Sequence, residues 1–167
     1  MRILGIDPGM AISGYCALDV INNSYENSYN IITSGSIQTH KSEDTGARLL
    51  EIHNDLSELI IQYKPDCASV EKLFFFKNAK TIMPVSEARG VIIMTLKKFD
   101  IKVFEYTPLV VKQTITGYGK ATKQEVCQMT QLAIGAGKMP KLDDASDAVA
   151  IALCHARHIQ INSYCQC

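Results

Sequence analysis

The chain has 167 residues, of which 47% are hydrophobic, and its formal net charge at neutral pH is zero. This size and composition predict one domain with a substantial core, and they argue against a disulfide-stapled module and a membrane span, which needs ~20 apolar residues in succession. Zero net charge argues weakly against a nucleic-acid ligand, but what matters more is whether lysines and arginines gather on one face. The apolar run before Asp7 is too short for a signal peptide, so we expect a cytoplasmic protein without a membrane partner.

The placement of the six cysteines predicts free thiols rather than disulfides. Four of them fall in apolar strand or helix patterns, where a reducing compartment leaves them as buried thiols: Cys16, Cys67, Cys127 and Cys154. Cys165 and Cys167 come close enough after His155 and His158 to permit a zinc site. We favour instead a frayed tail over 161–167, behind a single domain over 1–160.

The first half of the chain predicts three strands and a helix. Strands are predicted at 2–7, 12–19 and 29–38, and the turn residues between them favour an antiparallel meander. An apolar stripe at helical spacing predicts a helix over 45–63. Ser42 or Asp44 is its expected N-cap, and Lys64-Pro65-Asp66 ends it.

The second half alternates strands with helices. Further strands are predicted at 67–72 and 101–106, and helices are predicted up to Lys98 and over 108–114, 122–134 and 143–159. Pro84 requires that the helix ending at Lys98 either begins there or is kinked. The alternation predicts that the first, fourth and fifth strands are parallel neighbours in a mixed sheet covered by helices on both faces.

Four acidic residues fall where such a sheet binds ligands. Asp7 and Glu71 end the first and fourth strands, and open α/β sheets bind ligands at the carboxyl ends of their strands. Asp144 and Asp147 are three residues apart and project from one face of the last helix. If these elements converge, each pair of carboxylates ~4 Å apart costs about 4 kcal/mol at an effective dielectric of about 20, unless protons or cations compensate it.

Each of these residues also has an ordinary structural explanation. Asp7 before Pro-Gly is a turn former, a strand-end Glu is usually solvated, and Asp in a first helical turn, Asp143 included, complements the helix dipole. Three separate acidic elements nevertheless suit one site. Hard oxygen ligands without clustered His or Cys favour Mg²⁺, with Mn²⁺ as a substitute. Two ions about 3.5–4 Å apart can activate water on one side of a phosphodiester and stabilise the leaving oxygen on the other.

Aromatic and basic residues accompany the acidic ones. In Phe74-Phe75-Phe76, three consecutive rings cannot all face a core, so an exposed ring could stack on bases; a loop packed inward is the alternative. Lysines beside this loop and beside Gly117-Tyr118-Gly119 suit phosphate contact, although single lysines are often only solvated. The predicted DNA-binding residues are Phe74, Lys77, Lys112, Lys120 and Lys123.

An ordered set of short motifs resembles the RuvC-type Holliday-junction resolvases over nearly the whole chain. The motifs are L-G-I-D-P-G at 4–9, G-Y at 14–15, V-E-x-x-F at 70–74, K-N-A at 77–79, A-R-G at 88–90, F-E-Y at 104–106, V-K-Q-T at 111–114, G-x-G at 117–119 and D-A-S-D-A-V-A-I-A at 144–152. Each piece is short, and the specificity lies in their order.

The resemblance implies an RNase H-like fold with a five-stranded mixed sheet in the order 3-2-1-4-5. It also implies a Mg²⁺-dependent endonuclease that nicks a four-way DNA junction symmetrically as a homodimer during recombination and repair, with a RuvAB-type branch-migration motor as a further partner. The residues that match the catalytic, metal-binding carboxylates are Asp7, Glu71, Asp144 and Asp147. Phe74 matches the aromatic residue placed at the junction point, and Lys112 and Lys123 match basic residues that support binding and cleavage.

The chain departs from the family pattern at a few positions. Lys72 replaces an amide after the catalytic Glu and brings a cation near the metals, and Met10 replaces a small polar residue. Phe75 and Phe76 enlarge the aromatic loop. Pro84 interrupts a helix that in the family contributes to the dimer interface; we expect the part around 88–93 to form this interface, unless it only packs on the sheet.

Three other functions are compatible with parts of the pattern. An actin-like or sugar-kinase ATPase shares the opening G-I-D-x-G but needs a second phosphate-binding half, which this chain lacks. A nuclease of ribosomal RNA precursors would share the fold without needing the Phe74 loop or the paired-glycine loop. A non-catalytic junction-binding protein would not need all four carboxylates.

Overall fold

Five strands form one sheet in the order β3-β2-β1-β4-β5 in the computed structural model, which describes residues 1–22, 27–73, 79–135, 140 and 143–164. The strands are β1 (Arg2–Asp7), β2 (Ile12–Asn22), β3 (Asn27–Gln38), β4 (Cys67–Glu71) and β5 (Lys102–Tyr106). The first three strands are antiparallel, whereas β4 runs parallel to β1 and to β5. The mixed sheet, its parallel half and the order 3-2-1-4-5 are thereby confirmed.

Helices cover both faces of this sheet. They are α1 (Thr45–Tyr63), α2 (Ala79–Lys98), α3 (Pro108–Thr116), α4 (Lys123–Ile134) and α5 (Asp143–Tyr164). Successive strand side chains point to opposite faces, so Ile3 packs in the core beneath α3, α4 and α5, and Leu4 packs in the core beneath α1 and α2. The sheet, including the strand ends that carry Asp7 and Glu71, therefore packs between two separate apolar layers.

Side-chain caps set several helix boundaries. Of the two predicted caps for α1, Asp44 is the one used: its carboxylate accepts a hydrogen bond from the backbone N–H of Ala47 at 3.0 Å. Lys64 ends α1 in the left-handed conformation, with φ of 47°. A reciprocal capping box between Thr122 and Glu125 starts α4, and this fixes where Lys123 emerges.

Two helices differ from their predicted limits. α2 begins at Ala79 and includes Pro84, which excludes one of the two predicted alternatives, a helix that begins at Pro84. A proline near the start of a helix removes only one backbone hydrogen bond, and packing of the following turns against the sheet compensates for it. α5 continues to Tyr164, beyond the predicted end at 159. The predicted DNA contacts Phe74 and Lys77 lie outside the described residues, as do Cys165 and Cys167.

The described cysteines are free thiols, as predicted. Cys16, Cys67 and Cys154 are buried, whereas Cys127 on α4 is only half-buried. Burial raises the pKa of Cys16 to about 12 and the pKa of Cys67 and Cys154 to about 11. Within the described part of the chain, none of the helices combines the length and the apolar character that crossing a membrane requires.

Candidate active site

The ends of two parallel strands bring Asp7 and Glu71 together. Ile6 of β1 lies opposite Val70 of β4, so the next residue of each strand leaves the sheet at the same edge. The two carboxyl groups share a hydrogen bond, for which one of them must be protonated. The sequence prediction that these strand-end acids meet is supported by this contact.

Two glycines allow α5 to lie directly on the sheet beside these acids. A Cβ atom on Gly14 would lie 2.0 Å from the backbone oxygen of Asp144, and one on Gly5 would lie 2.3 Å from that of Ala148. The first turns of α5, which carry Asp144 and Asp147, therefore depend on bare backbone beneath them. The sequence signal for this role is a glycine inside a strand pattern, which often marks close backbone approach.

Burial and mutual repulsion act on the acidic pair. Burial raises the pKa of Asp7 to about 7, and the charges of Asp147 and Asp144 add to this effect while Lys123 opposes it. Burial likewise raises the pKa of Glu71 to about 8, with further contributions from Asp7 and Asp147. Both shifts mean that the half-buried surroundings, together with the neighbouring acids, disfavour the ionised forms of Asp7 and Glu71.

Two of the predicted lysines line the same cleft as the acids. The Nζ atom of Lys123 lies 2.9 Å from Oδ2 of Asp147 and 3.7 Å from Oδ2 of Asp143, and the hydrogen bond with Asp147 raises the pKa of Lys123. Lys112 lies near enough to Glu71 to counteract part of its pKa shift. A cleft of about 270 Å³ is lined by Glu71, Asp147, both lysines and the apolar side chains around them.

The other predicted site residues are placed less centrally. Lys120 is exposed in the loop between α3 and α4, and the structure shows no contact between it and the acids. Lys72 is exposed, and its backbone N–H donates to the carbonyl of Tyr106 at 2.8 Å, which extends the β4–β5 pairing. Asp143, expected only to complement the helix dipole, also pairs with Lys123.

The donor set fits a hard divalent cation. It consists of half-buried carboxylates alone, and the charges of Asp144 and Asp147 disfavour ionisation of the Asp7–Glu71 pair. Within the ranges that the structure describes, no three Asp, Glu, His or Cys side chains are already grouped as metal ligands. Lys123 pairs with the acids of α5, whereas Asp7 pairs with Glu71. Binding of a cation by all four acids would therefore require Lys123 to give up its contact with Asp147.

The histidines considered for zinc have other partners. Nδ1 of His155 lies 2.7 Å from the hydroxyl of Tyr106, and its ring stacks on Phe104 with centroids 4.0 Å apart. Nδ1 of His158 lies 2.9 Å from the backbone oxygen of Cys154. These contacts favour a packing role for both rings on the face of the sheet that α5 covers.

Arg89 of α2 contacts the backbone of a candidate ligand. Its Nε donates to the backbone oxygen of Glu71 at 3.4 Å, and its guanidinium forms an ion pair with Glu105 of β5. Both residues fall within short sequence motifs, A-R-G and F-E-Y, that carry no information about this contact. No periodicity or spacing links positions 89 and 105, so only the fold reveals the pair.

Comparisons with known proteins agree with this arrangement. Residues 3–155 match the family model of crossover junction endodeoxyribonuclease RuvC. The RuvC of Caldicellulosiruptor saccharolyticus is 44% identical over 155 residues, which cover 93% of this chain and 92% of that protein. The Thermus thermophilus RuvC structure superposes with a TM-score of 0.89 at 28% identity and covers 97% of both chains.

A second T. thermophilus RuvC structure, in complex with Holliday junction substrate, gives a TM-score of 0.88 at 27% identity and covers 97% of this chain and 96% of that one. The family model, the related sequences and the solved structures all cover the strands and helices that carry the acidic cleft. The chain belongs to the RuvC family of crossover junction endodeoxyribonucleases.

Proposed function

We propose that this chain resolves four-way DNA junctions by hydrolysing phosphodiesters at the acidic cleft, with two Mg²⁺ ions held by Asp7, Glu71, Asp144 and Asp147. The observation that carries the proposal is the half-buried Asp7–Glu71 pair, in which burial and the neighbouring acids raise the pKa values to about 7 and about 8. Ionising both carboxyl groups in these surroundings is costly without a counter-charge, and bound divalent cations would supply one.

Each group in the cleft has a proposed task. The four carboxylates would hold the ions, which when bound would activate water and stabilise the leaving oxygen. Lys112 and Lys123 line the cleft and are placed to neutralise the phosphate under attack. Lys120, Lys77 and Phe74 are proposed to contact the DNA on either side, the first two at phosphates and Phe74 at the unstacked junction point.

The proposed enzyme is a homodimer, because two symmetric cuts need two identical sites. Met83, Glu87, Gly90 and Met94 follow one exposed face of α2, and the two methionines are 66% and 50% exposed. A Cβ atom on Gly90 would meet nothing within 4 Å. Ala88 and Ile92, from the segment predicted for the interface, are buried and pack on the sheet instead. The methionine face is therefore the better candidate.

Two further proposals rest on family membership and composition. A RuvAB-type branch-migration motor is the proposed partner on the junction. The proposed compartment is the cytoplasm, where the four described cysteines would remain reduced.

Cleavage of a synthetic four-way junction tests the function. With Mg²⁺ we expect paired nicks on two strands of like polarity, and no cutting of matched linear duplex or RNA. Ca²⁺ should permit binding and suppress cutting, because it prefers longer and looser coordination. Equal cutting of linear duplex or RNA, or efficient cutting in Ca²⁺, would contradict the proposal.

A further inference from the structure

Arg89 joins three elements at the edge of the sheet where Glu71 lies. From α2, its Nε donates to the backbone oxygen of Glu71 at the end of β4, and its guanidinium pairs with Glu105 on β5. Val70 lies opposite Glu105 in the parallel ladder, so the contacted oxygen and the contacted carboxylate belong to neighbouring strands. The side chain is 22% exposed, and most of it is therefore enclosed by these elements.

The position of Glu71 needs such support. Glu71 is the last residue of its strand, and its carboxylate, when ionised, is repelled by the carboxylates of Asp7 and Asp147. The ladder hydrogen bond from Lys72 to Tyr106 holds the next residue from the β5 side only. Arg89 holds the backbone of Glu71 from the α2 side, with a planar fork that a lysine cannot reproduce.

We propose that Arg89, anchored by Glu105, is a positioning residue that fixes the backbone of Glu71 and so directs its carboxylate towards Asp7 for cation binding. This inference rests on the proposed role of Glu71 as a metal ligand.

The chain contains a closely matched control. Arg2 has the same arrangement at the opposite end of the sheet: its Nε lies 2.7 Å from Asp19, and its Nη1 donates to the backbone oxygen of Tyr63 at 2.6 Å. The exposed fractions of the Arg2 and Asp19 side chains are 31% and 26%, against 22% and 38% for Arg89 and Glu105. Arg2→Gln therefore removes a comparable ion pair and carbonyl contact far from the cleft.

The test compares Arg89→Gln, Arg89→Lys and Glu105→Gln with Arg2→Gln. Four properties are measured: the single-turnover cleavage rate at saturating junction, junction affinity in Ca²⁺, Mn²⁺ binding by electron paramagnetic resonance and the thermal unfolding midpoint. Arg89→Gln should lower the cleavage rate and the Mn²⁺ affinity by about 10- to 100-fold, the range for residues that orient metal ligands, with unchanged junction affinity. Arg89→Lys should recover part of the loss, and Arg2→Gln should lower only the unfolding midpoint.

Glu105→Gln keeps the contact between Arg89 and the Glu71 backbone, so it replaces Arg89→Gln as the test variant if Arg89→Gln does not fold. It should lower the cleavage rate and the Mn²⁺ affinity by a smaller factor than Arg89→Gln. Cleavage and Mn²⁺ binding that match Arg2→Gln in all three variants would overturn the inference. Glu71→Gln separates the two levels: if it cuts like the wild type, the proposed ligand set is wrong. If it is inactive while the Arg89 variants cut normally, only the positioning role is wrong.

Discussion

The carboxyl groups of Asp7 and Glu71 form a pair whose behaviour depends on how their negative charge is neutralised. In the structure the two carboxyl groups hydrogen-bond to each other, and Lys123 pairs with Asp147 instead. The Asp7–Glu71 pair can therefore be neutralised by a proton or by a bound cation, and the two forms respond differently to substitution and to pH.

Asp7→Asn should lower junction cleavage by at least about 100-fold, the upper end of the loss seen when only an outer partner of a metal ligand is removed. A neutral amide holds cations poorly, but it leaves the lysines of the cleft in place, so junction binding should persist. Rates are measured under single-turnover conditions, with binding measured in Ca²⁺. Asp19→Asn, a carboxylate at the other end of the sheet, is the control. Near-wild-type cutting by Asp7→Asn would remove Asp7 from the site.

Without metal, the stability of the protein should fall as pH rises through the range set by the acidic pair. The folded state binds protons on Asp7 and Glu71 up to pKa values of about 7 and about 8, whereas the unfolded chain releases them near 3.8 and 4.5. Because the folded state binds more protons in this range, the pair disfavours folding increasingly as pH rises. Mn²⁺ or Mg²⁺ should therefore stabilise the protein more at pH 8 than at pH 6.

His155 acts in the opposite direction, because burial lowers its pKa from 6.5 to about 4. Between these values the unfolded state binds more protons, so the free energy of unfolding increases as pH rises. Urea unfolding of the wild type and Asp7→Asn in chelator, at several pH values, separates the two contributions. As pH rises, the unfolding free energy of Asp7→Asn should increase relative to that of the wild type. Parallel pH profiles for the two proteins would contradict the assignment of the raised pKa to this pair.

Lys112→Ala and Lys123→Ala should slow cutting, and the salt dependence of junction affinity should become shallower, by about 0.9 in the logarithmic slope for each lost phosphate contact. Lys97→Ala is the control, because Lys97 is highly exposed near the end of α2 and pairs with Asp100. If Lys112→Ala or Lys123→Ala has the same salt dependence of junction affinity and the same cleavage rate as Lys97→Ala, that lysine does not contact a phosphate of the junction.

Single residues also show what the sequence could and could not reveal. Asp7 and Glu71 were predictable because each ends an apolar run, and parallel strands bring such ends together. The contacts of Lys123 with Asp147 and of Arg89 with Glu105 were not, because they join elements whose relative placement has no local sequence signature. Asp143 was assigned to the helix dipole for the same reason.

At the scale of elements, the contact of α5 with β1 and β2 decides where half of the acidic cluster lies. This contact depends on backbone approaching backbone, so the two strand glycines set the height of the helix above the sheet. A displacement of α5 would move Asp144 and Asp147 together.

Gly14→Ala should reduce both stability and cleavage, because its Cβ would lie 2.0 Å from a backbone oxygen that cannot rotate away. We expect the unfolding free energy to fall by about 1–3 kcal/mol, as for overpacking in a core. Cleavage should fall further than the folded fraction explains. Gly46→Ala is the control, since its Cβ would meet only the Asp44 carboxylate at 3.1 Å. A Gly14→Ala protein with normal stability and cutting would show that α5 can move without consequence.

Element boundaries were predictable where a local signal exists. The apolar stripe and the Asp44 cap give the limits of α1 from sequence alone. The interior Pro84 was ambiguous, because packing of the later turns of α2 allows a helix to continue through it. β2 and β3 are longer than predicted, since pairing between them extends to Asn22 and Asn27 across polar residues.

At the scale of the whole molecule, the described residues of one chain form one acidic cleft, so the proposed paired cutting would need two chains. Met94→Glu would place a charge on the exposed methionine face of α2, at the C-terminal end of the proposed interface. We expect the dimer dissociation constant to rise at least about tenfold, equivalent to about 1.4 kcal/mol. Light scattering over a range of concentrations measures this change.

A plasmid with an extruded cruciform then reports the cuts, because paired nicks give linear product and single nicks give open circles. Met94→Glu should shift the product from linear to open circle. The control is Leu132→Glu on α4, which is 75% exposed and lies on the opposite face of the sheet. Unchanged mass and linear product for Met94→Glu would exclude this face as the interface.

The overall topology was only partly available from local patterns. Alternating strands and helices predicted the parallel half of the sheet, but the order 3-2-1-4-5 came from the family resemblance, because hydrophobic periodicity does not say on which side of β1 a strand is added. Both are confirmed by the structure.

The unequal burial of the cysteines also provides a way to observe the protein at work. Thiol-reactive dyes attack the thiolate, and the raised pKa values of Cys16, Cys67 and Cys154 keep those thiols protonated at neutral pH. With Cys165 and Cys167 changed to Ser, a maleimide fluorophore should label Cys127 selectively. Cys127 follows Val126, which lines the acidic cleft, on the helix that begins with Lys123. A dye at this position would report junction arrival optically, without requiring a cut.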